Sequence, residues 1–363
     1  MKTYRNKEDL LKYLKHKDGS PFTKEIVDNW YKARAYVLDK LKDVAIGSSS
    51  KERLHVLVKG DSPLMLSVVR QVALLAHYAN YDEMISDNRT VVTIVSNCCD
   101  IVEELQKEEY LSNLLYHCKY TIGGVVKNPD SYIDIELEIV KDWQQNDDEN
   151  AILMMEDDLK KVLSNKSKDD IYKIDTRKAV LAGRMYDLGV LIDNLPAEDI
   201  HCAERYALAL DVFQHAYLKT PIECMVNDKN KERWDADLVY VKNNLSNVFC
   251  ADCFESRAMG MKANEAWTEC NEALSKSEHA RWVAEKLILG FRPLSPEEHI
   301  EDEEKFGDAK KQYRKKLKSY SKDPVHIDLC SYADLRRVNP DDMKYDSFLM
   351  LAIPKILKIL RIK

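Results

Sequence analysis

The chain lacks the features that would place it in a membrane or mark it for export. In its 363 residues no apolar run approaches the about 20 residues that a transmembrane helix needs. No apolar signal core follows the N-terminal stretch Met1–Lys7. Nine cysteines, an odd number scattered along the sequence, are typical of reduced thiols. We therefore expect a cytoplasmic globular protein of two or three domains.

Several functional signatures are also missing. The net charge of −7 gives no overall electrostatic footprint for nucleic acid. The sequence contains no G-x-S-x-G nucleophile elbow, no P-loop and no H-E-x-x-H zinc motif. We accordingly expect no cofactor and no metal, and a binding protein rather than an enzyme.

The first half of the chain alternates strand-like and helix-like segments. Leu54–Lys59 and Thr90–Val95 are apolar, β-branched runs that predict strands. Between them a glycine turn at Gly60 leads into the predicted apolar helix Leu64–Tyr78. Strand, turn, helix and strand within about 40 residues indicate a Rossmann-like βαβ unit.

Later segments continue this alternation. Residues 101–117 predict one helix, and 120–126 form a further apolar stretch. Ile133–Val140 alternates apolar with acidic residues, which predicts a strand with one buried face. Ala151–Met155 predicts a strand or a helix start, and 164–170 predicts a linker.

The predicted fold class is α/β plus α. Residues 5–45 predict one or two amphipathic helices before the Rossmann-like βαβ domain, and from Arg177 onward the pattern is mostly helical. We divide the chain into N-terminal helices at 1–50, a Rossmann-like domain at 51–165, a helical region at 170–270 and a C-terminal module at 271–363.

The dinucleotide-binding fingerprint is incomplete in the βαβ unit. It requires G-x-G-x-x-G so that the backbone can approach a pyrophosphate at the helix N-terminus. Only Gly60 is present, because Ser62 and Met65 occupy the later positions. Ser96 and Asn97 stand where an acidic residue would bind the ribose hydroxyls. Gly60 and Ser62 are therefore candidates for binding an anion, and a purely structural turn is the favoured alternative.

The stretch from Ser277 to Leu294 is the most distinctive in the chain. Ser275 and Ser277 suit N-capping of a helix, and Gly290 followed by Pro293 indicates its end.

Helical spacing brings His279, Trp282 and Lys286 to one side of this helix, and Phe291 and Arg292 follow its end. Aromatic rings with convergent cations suit a planar, anionic ligand such as a nucleotide. The alternative interpretation is that the aromatic residues belong to the core and the charged groups are solvated.

The run His279-x-x-Trp282-x-x-x-Lys286-Leu287-x-x-Gly290-Phe291 resembles the start of the RyR repeat, the small helical module of ryanodine receptors. Tyr332–Leu335, Tyr345–Phe348 and Ile353–Leu357 resemble its second half, so the resemblance covers residues 275–360. In bacterial proteins this repeat follows a nucleotide-binding-like domain of the TrkA-N type. The chain departs from the pattern in the middle, where Arg292-Pro293 and a charged insertion replace a short Trp/Tyr-Gly loop.

The resemblance implies a receptor for a small anionic ligand, a nucleotide or nucleotide-derived signal, with a role such as bacterial antiviral signalling. We also expect a homo-oligomer. The rival classes are a nucleotide-processing or NAD-linked enzyme that uses the N-terminal domain, and a ligand-independent scaffold. The expected ligand residues are Trp282 and Phe291 for stacking, Lys286 and Arg292 for phosphate, His279 for orientation, and Tyr345 and Asp346 from the second half of the repeat.

A weaker copy of the repeat is a further hypothesis for residues 207–263. It would contain His215, Tyr217, Trp234 and the run Phe254–Arg257. In that case the ligand would bind between two copies or across a dimer.

Two sets of residues are candidate metal ligands, and each has a simpler interpretation. Cys250, Cys253, Cys270 and His279 would offer three thiolates and an imidazole to zinc, but a single C-x-x-C is thin and buried packing is favoured. The acidic run Glu156–Asp158 would offer oxygens to Mg²⁺, and a solvated helix N-terminus is the better explanation.

Charges are also segregated in the C-terminal module. Acidic residues concentrate at 297–304 and basic residues at 305–322. As one exposed helix, this order agrees with the helix macrodipole and indicates a solvated arm. The functional alternative is a basic lip that attracts a phosphate ligand or an acidic partner.

Overall fold

The computed structural model describes residues 23–83, 87–97, 101–107, 109–143, 150–172, 178, 246–262, 272–319, 323–343, 345–347, 350, 353 and 357. These residues form a mixed six-stranded sheet accompanied by many helices, which is an α/β plus α class. Within this part of the chain no helix is long and apolar enough to cross a bilayer.

The N-terminal half begins with helix α1 (Lys24–Leu41), which Thr23 caps by accepting a hydrogen bond from the Ile26 N–H. Strand β1 (His55–Lys59), helix α2 (Pro63–Leu75) and strand β2 (Thr90–Val95) confirm the predicted strand–helix–strand order. The elements that follow are α3 (Ile101–Lys107), α4 (Glu109–His117), β3 (Lys119–Ile122), β4 (Val125–Lys127), β5 (Ile135–Val140), β6 (Ile152–Met155), α5 (Glu156–Ser164) and α6 (Lys168–Ile171).

The strands lie in the order β4-β3-β5-β2-β1-β6. All neighbouring pairs are parallel except β3 and β4, which form an antiparallel hairpin. The predicted apolar stretch 120–126 is in fact this hairpin, because Gly123 and Gly124 both adopt positive φ and close a two-residue turn. Strand β5 alternates buried and half-buried residues, which confirms its predicted one-sided burial.

Strands β2 and β6 lie on opposite sides of β1, so the direction of the chain across the sheet changes at β1. In open parallel sheets, ligands bind at such a point, beyond the carboxyl ends of the strands. We call this place, which Gly60, Ser62 and Glu156 border, the strand-end crevice.

The described C-terminal part is helical. Residues 246–252 form a short helix. The elements after it are α7 (Phe254–Lys262), α8 (Glu272–Ile288), α9 (Pro296–Glu303), α10 (Gly307–Lys318), α11 (Tyr332–Val338) and a 3₁₀ turn (Pro340–Asp342). Gly290, with φ of 86°, follows α8 and confirms the predicted helix end.

Three sequence-based assignments are wrong. Ser275 and Ser277 are not N-caps, because α8 begins at Glu272 and both serines are buried within it. Residues 164–170 are not simply a linker, because α6 begins at Lys168 with Ser167 as its cap. The acidic and basic runs are not one helix, because α9 and α10 are separate helices.

Helices α9 and α10 are joined to each other by ion pairs. Asp302 is buried and accepts hydrogen bonds from the Arg314 Nε and Nη2 atoms at 2.7 and 2.8 Å. The Lys310 Nζ lies 3.3 Å from the same carboxylate. Segregated charge in the sequence therefore produces pairing between two helices, so part of the predicted basic lip is already neutralised.

One continuous hydrophobic core contains residues of α1, α2, the sheet and α8, with Leu329, Met350 and Ile353. A smaller core lies beyond α8 and consists of Leu294, Tyr313, Leu317, Val325 and Ile327. Helix α8 packs on α2 and α4, so the C-terminal module shares its main core with the sheet. The four-part division of the chain stays a prediction.

Candidate functional site

Helix α8 carries a row of buried charges on the side that we call its inner face, which consists of Glu278, Arg281 and Glu285. Arg281 is only 1% exposed and Glu285 is fully buried. The Arg281 Nη1 donates to a Glu285 oxygen at 2.7 Å, and Nε and Nη2 donate to Glu278 at 2.7–3.0 Å. The charged groups of the inner face are therefore paired with one another and not exposed to solvent.

Mutual pairing keeps the inner face charged. Burial alone would lower the pKa of Arg281, but the carboxylates of Glu278 and Glu285 raise it well above its usual value. Burial would likewise raise the pKa of Glu285, yet the cations of Lys286 and Arg281 lower it. Arg257 of α7 joins the row, since its Nη2 lies 3.6 Å from a Glu278 oxygen and also donates to the Ser277 carbonyl at 3.1 Å.

A second side of α8 contacts what we call the aromatic row, a chain of neighbouring rings. The ring of His279 lies 5.6 Å from that of Tyr332 and stacks at 6.1 Å on Trp282. Trp282 meets His326 edge-to-face at 4.8 Å, and His326 lies 6.2 Å from Phe291. The structure therefore brings together His279, Trp282 and Phe291 in this row, with Lys286 over the Trp282 and Phe291 rings and Asp346 beside His279.

His279 is held in place at both ring nitrogens. Its Nε2 donates to the Cys330 carbonyl at 3.0 Å, and its Nδ1 lies 3.5 Å from an Asp346 oxygen. Burial would lower the pKa of His279, but Asp346 and the Cys330 contact outweigh it and raise that pKa to about 10. The ring is therefore an imidazolium whose charge Asp346 balances.

The two cations expected to bind phosphate already have partners. The Lys286 Nζ donates to Glu285 at 2.8 Å and lies 5.5 Å from the Trp282 ring centre, with the residue only 7% exposed. Arg292 donates to both Glu298 oxygens, at 2.6 and 3.0 Å, and to Asp323 at 2.6 Å. These contacts hold the Lys286 ammonium and the Arg292 guanidinium against carboxylates of the protein and not toward an open space.

Sequence reasoning missed His326. It lies in the segment 323–331, between the two halves of the resemblance, so no motif drew attention to it. Its Nδ1 accepts the Asp328 N–H at 3.3 Å, which requires a neutral ring with the proton on Nε2. Burial, followed by the cations of Lys318 and Lys286, lowers the pKa of His326 well below its usual value.

A cleft of about 110 Å³ lies beside His279, and we call it the α8 cleft. It lies between α8, the start of α11 and two segments near the sheet. Its lining combines buried residues (Ile133, His279, Val283), half-buried tyrosines (Tyr81, Tyr132, Tyr332) and exposed charged residues (Glu83, Glu272, Arg336), together with Lys276 and Asp82. Of the predicted site residues, His279 alone is among those lining it.

Ion pairs surround the mouth of the α8 cleft. The Lys276 Nζ lies 2.5 Å from Asp82 and 3.5 Å from Glu272. The Arg336 Nη2 lies 3.1 Å from Glu272, and both side chains are more than half exposed, at 61% and 54%. Such exposed pairs contribute about 0–1 kcal/mol, so a ligand can exchange with them at little cost.

The polar groups of the strand-end crevice hydrogen-bond to one another. Ser62 caps α2 by accepting the Met65 N–H, and its hydroxyl donates to Glu156 at 3.1 Å. Gly60 has φ of +117°, a conformation that favours glycine. Asp61 accepts a hydrogen bond from Ser96, so two carboxylates stand where a phosphate would lie. Gly60 thus permits the backbone conformation of the turn, and Ser62 caps the helix that follows it.

The cysteines of the zinc hypothesis pack in the core. Cys250 and Cys253 are buried, and burial raises the pKa of each thiol, which keeps both protonated. Cys270 lies outside the described residues. Within the described ranges, no group of three or more His, Cys, Asp and Glu side chains is arranged to hold a metal ion.

The acidic run Glu156–Asp158 occupies the first turn of α5. Glu156 pairs with Lys160 at 2.9 Å, and Asp158 pairs with Lys40 at 2.6 Å. Both contacts lower the pKa of these carboxyls.

For the proposed weaker repeat, His215, Tyr217 and Trp234 lie outside the described residues, and Phe254 and Arg257 are buried in the core region.

Comparisons of this chain with protein-family models, with curated proteins and with solved structures find no match. The geometry of the site is therefore the basis for inferring a function.

Proposed function

We propose that this protein is a sensor that binds a nucleotide or nucleotide-derived signal in the α8 cleft. The observation that carries the proposal is the composition of that cleft, where three tyrosines and an imidazolium surround a space with exchangeable ion pairs at its mouth.

The size of the cleft supports a planar ligand. An apolar cavity of about 150 Å³ is known to accept benzene. The α8 cleft, at about 110 Å³, has room for roughly one ring in its enclosed part. One ring of a nucleobase fits this limit if the rest of the nucleotide, including the second ring of a purine, remains at the mouth.

The chemistry of the walls supports the same class of ligand. Stacking of a base on an aromatic side chain contributes about 1–3 kcal/mol and tolerates different bases. Tyr332 is the best placed of the tyrosines, because it begins α11 and contacts the His279 ring. A phosphate at the mouth would meet Arg336 and Lys276, whose present carboxylate partners it would replace.

The alternative of an enzyme or NAD-linked site in the N-terminal half has less support. Its natural place is the strand-end crevice, which contains the carboxylates Asp61 and Glu156 and no second glycine. An anionic pyrophosphate would meet two negative charges there.

We further propose that the sheet is a degenerate Rossmann-like unit and that α8 and α11 belong to an RyR-like module. The β1–α2–β2 order and the change of direction at β1 support the first part. The strand order departs from the usual pattern, because β5 lies between β2 and β3.

A ligand screen with a cleft-filling variant tests the proposal. Purified protein is assayed by thermal shift against mono-, di- and cyclic nucleotides, NAD and ADP-ribose derivatives. Ala280→Leu places a larger side chain in the cleft, and Ala309→Leu makes the same change on exposed α10. We expect a specific shift that Ala280→Leu removes and Ala309→Leu retains. No shift with any compound would favour the scaffold class.

A further inference from the structure

The hydrogen-bonding groups of the α8 cleft are almost all in use. His279 donates to the Cys330 carbonyl, and the Tyr132 hydroxyl donates to the Leu329 carbonyl at 2.9 Å. The Ser331 hydroxyl is engaged with Asp334. These groups are therefore not free to form hydrogen bonds that would distinguish one ligand from another.

Glu83 differs from the other polar groups that line the cleft. It makes no hydrogen bond and no ion pair with the part of the chain that the structure describes, while its neighbour Asp82 is paired with Lys276. Partial burial, with the negative charges of Asp82 and Asp334, raises the pKa of Glu83. The side chain is exposed at the cleft, so its carboxylate oxygens are accessible to hydrogen-bond donors of a ligand.

A carboxylate is an acceptor with two oxygens, so it pairs best with two parallel N–H groups. Among the common bases, guanine carries two such adjacent donors, at N1 and N2, on its Watson–Crick edge. Hypoxanthine lacks the N2 amine, and adenine presents an acceptor at N1. Glu83 is thus able to distinguish these three purines.

Resting on the proposed function, we propose that the α8 cleft selects a guanine nucleotide and that Glu83 is the residue that determines this specificity. The six-membered ring of the base lies against the tyrosines with its N1 and N2 groups toward Glu83, and the five-membered ring lies toward the mouth. The sugar and phosphate then lie on the other side of the mouth, near Arg336.

Titration calorimetry with GMP, IMP and AMP tests this inference on the full-length protein. We expect GMP to bind about tenfold more tightly than IMP, because one charge-assisted hydrogen bond is lost with the amine. Glu83→Gln should abolish this preference by weakening GMP about tenfold while changing IMP less. Glu304→Gln, the same change at an exposed position outside the cleft, should leave all three affinities unchanged.

The outcomes separate the two proposals. Equal binding of the three nucleotides, or a guanine preference that survives in Glu83→Gln, would overturn the specificity and leave the nucleotide sensor intact. Failure of all three nucleotides to bind, together with no response in the wider ligand screen, would overturn both. A preference that disappears in Glu83→Gln alone would establish the inference.

Discussion

The inner face of α8 and the residues that line the α8 cleft, which we call the cleft face, use the same kinds of residue in opposite ways. On the inner face, Glu278, Arg281 and Glu285 satisfy one another in the interior. On the cleft face, the ion pair of Arg336 with Glu272 is exposed, and Glu83 has no partner among the described residues.

This difference shows that a charged residue is informative about binding only when its partners are known. Lys286 has the right type and spacing to bind a phosphate, yet its ammonium group already donates to Glu285 and lies over the Trp282 ring. Glu83 has no motif around it, yet its carboxylate has no hydrogen bond or ion pair with the described residues and is able to accept hydrogen bonds from a ligand. The predictions below test whether the two faces differ in this way, beginning with the largest expected effect.

Glu285→Ala should break the inner face. It leaves the buried cations of Arg281 and Lys286 without their shared carboxylate, which we expect to lower the free energy of unfolding by about 3–5 kcal/mol. Denaturant unfolding measures this change. Glu303→Ala removes an exposed pair with Arg337 and should cost less than about 1 kcal/mol. Similar losses in the two variants would contradict the distinction.

Tyr332→Ala should break the cleft face. Loss of one stacking surface should weaken ligand binding by about 1–3 kcal/mol, roughly 10- to 100-fold, with the fold retained. The matched control is Tyr116→Ala, which removes a tyrosine that is 76% exposed and outside the cleft. Calorimetry with the ligand from the screen measures both. Unchanged affinity in a folded Tyr332→Ala protein would exclude this wall.

The sequence names Trp282 as an expected stacking residue, which predicts that Trp282→Ala abolishes binding with the fold retained. The structure places Trp282 behind His279 rather than in the cleft, so we now expect it to weaken binding less than Tyr332→Ala does. A larger loss in Trp282→Ala would return the site to the aromatic row.

His279 lines the α8 cleft on the helix that carries the inner face, and its titration should make the stability of the protein depend on pH. Its pKa in the folded protein is raised to about 10, against a usual value near 6.5. The stabilisation is therefore fully present below about pH 6.5 and is lost as the pH rises through about 10, by at most about 1.4 kcal/mol per pH unit. The difference in unfolding free energy between wild type and His279→Gln should shrink from pH 7 to 10. A constant difference would show that the imidazolium does not form.

Ser62→Ala sharpens the comparison from outside α8. Loss of the cap and of the contact with Glu156 should cost about 0.5–2 kcal/mol in stability. Ligand affinity should not change, because the proposed binding site is the α8 cleft and not the strand-end crevice. A parallel loss of affinity would revive the N-terminal alternative.

Local elements were the part of this fold that sequence patterns predicted well. Strands β1 and β2 follow from β-branched runs, and the end of α8 follows from Gly290. The start of α8 was misplaced because Ser275 and Ser277, which suit a cap, are buried by tertiary packing instead.

The site was less predictable for a physical reason. The cleft unites Tyr81, Tyr132 and Tyr332, which no local periodicity connects. His279 was found because it lies on a patterned helix, and His326 was missed because its segment has no pattern. Burial of the charges on α8 also depends on partners from distant elements, such as Arg257 and Ser246.

The position of β5 between β2 and β3 has a consequence for how the chain folds. Strand β3 pairs only with β4 and β5 among the described strands, so its hairpin has local contacts alone until β5 is in place. A two-stranded hairpin is marginally stable by itself. The strands therefore cannot join the sheet in chain order. The β3–β4 hairpin can join it only after Ile135–Val140 has been synthesised, because β5 is the strand that connects β3 to β2.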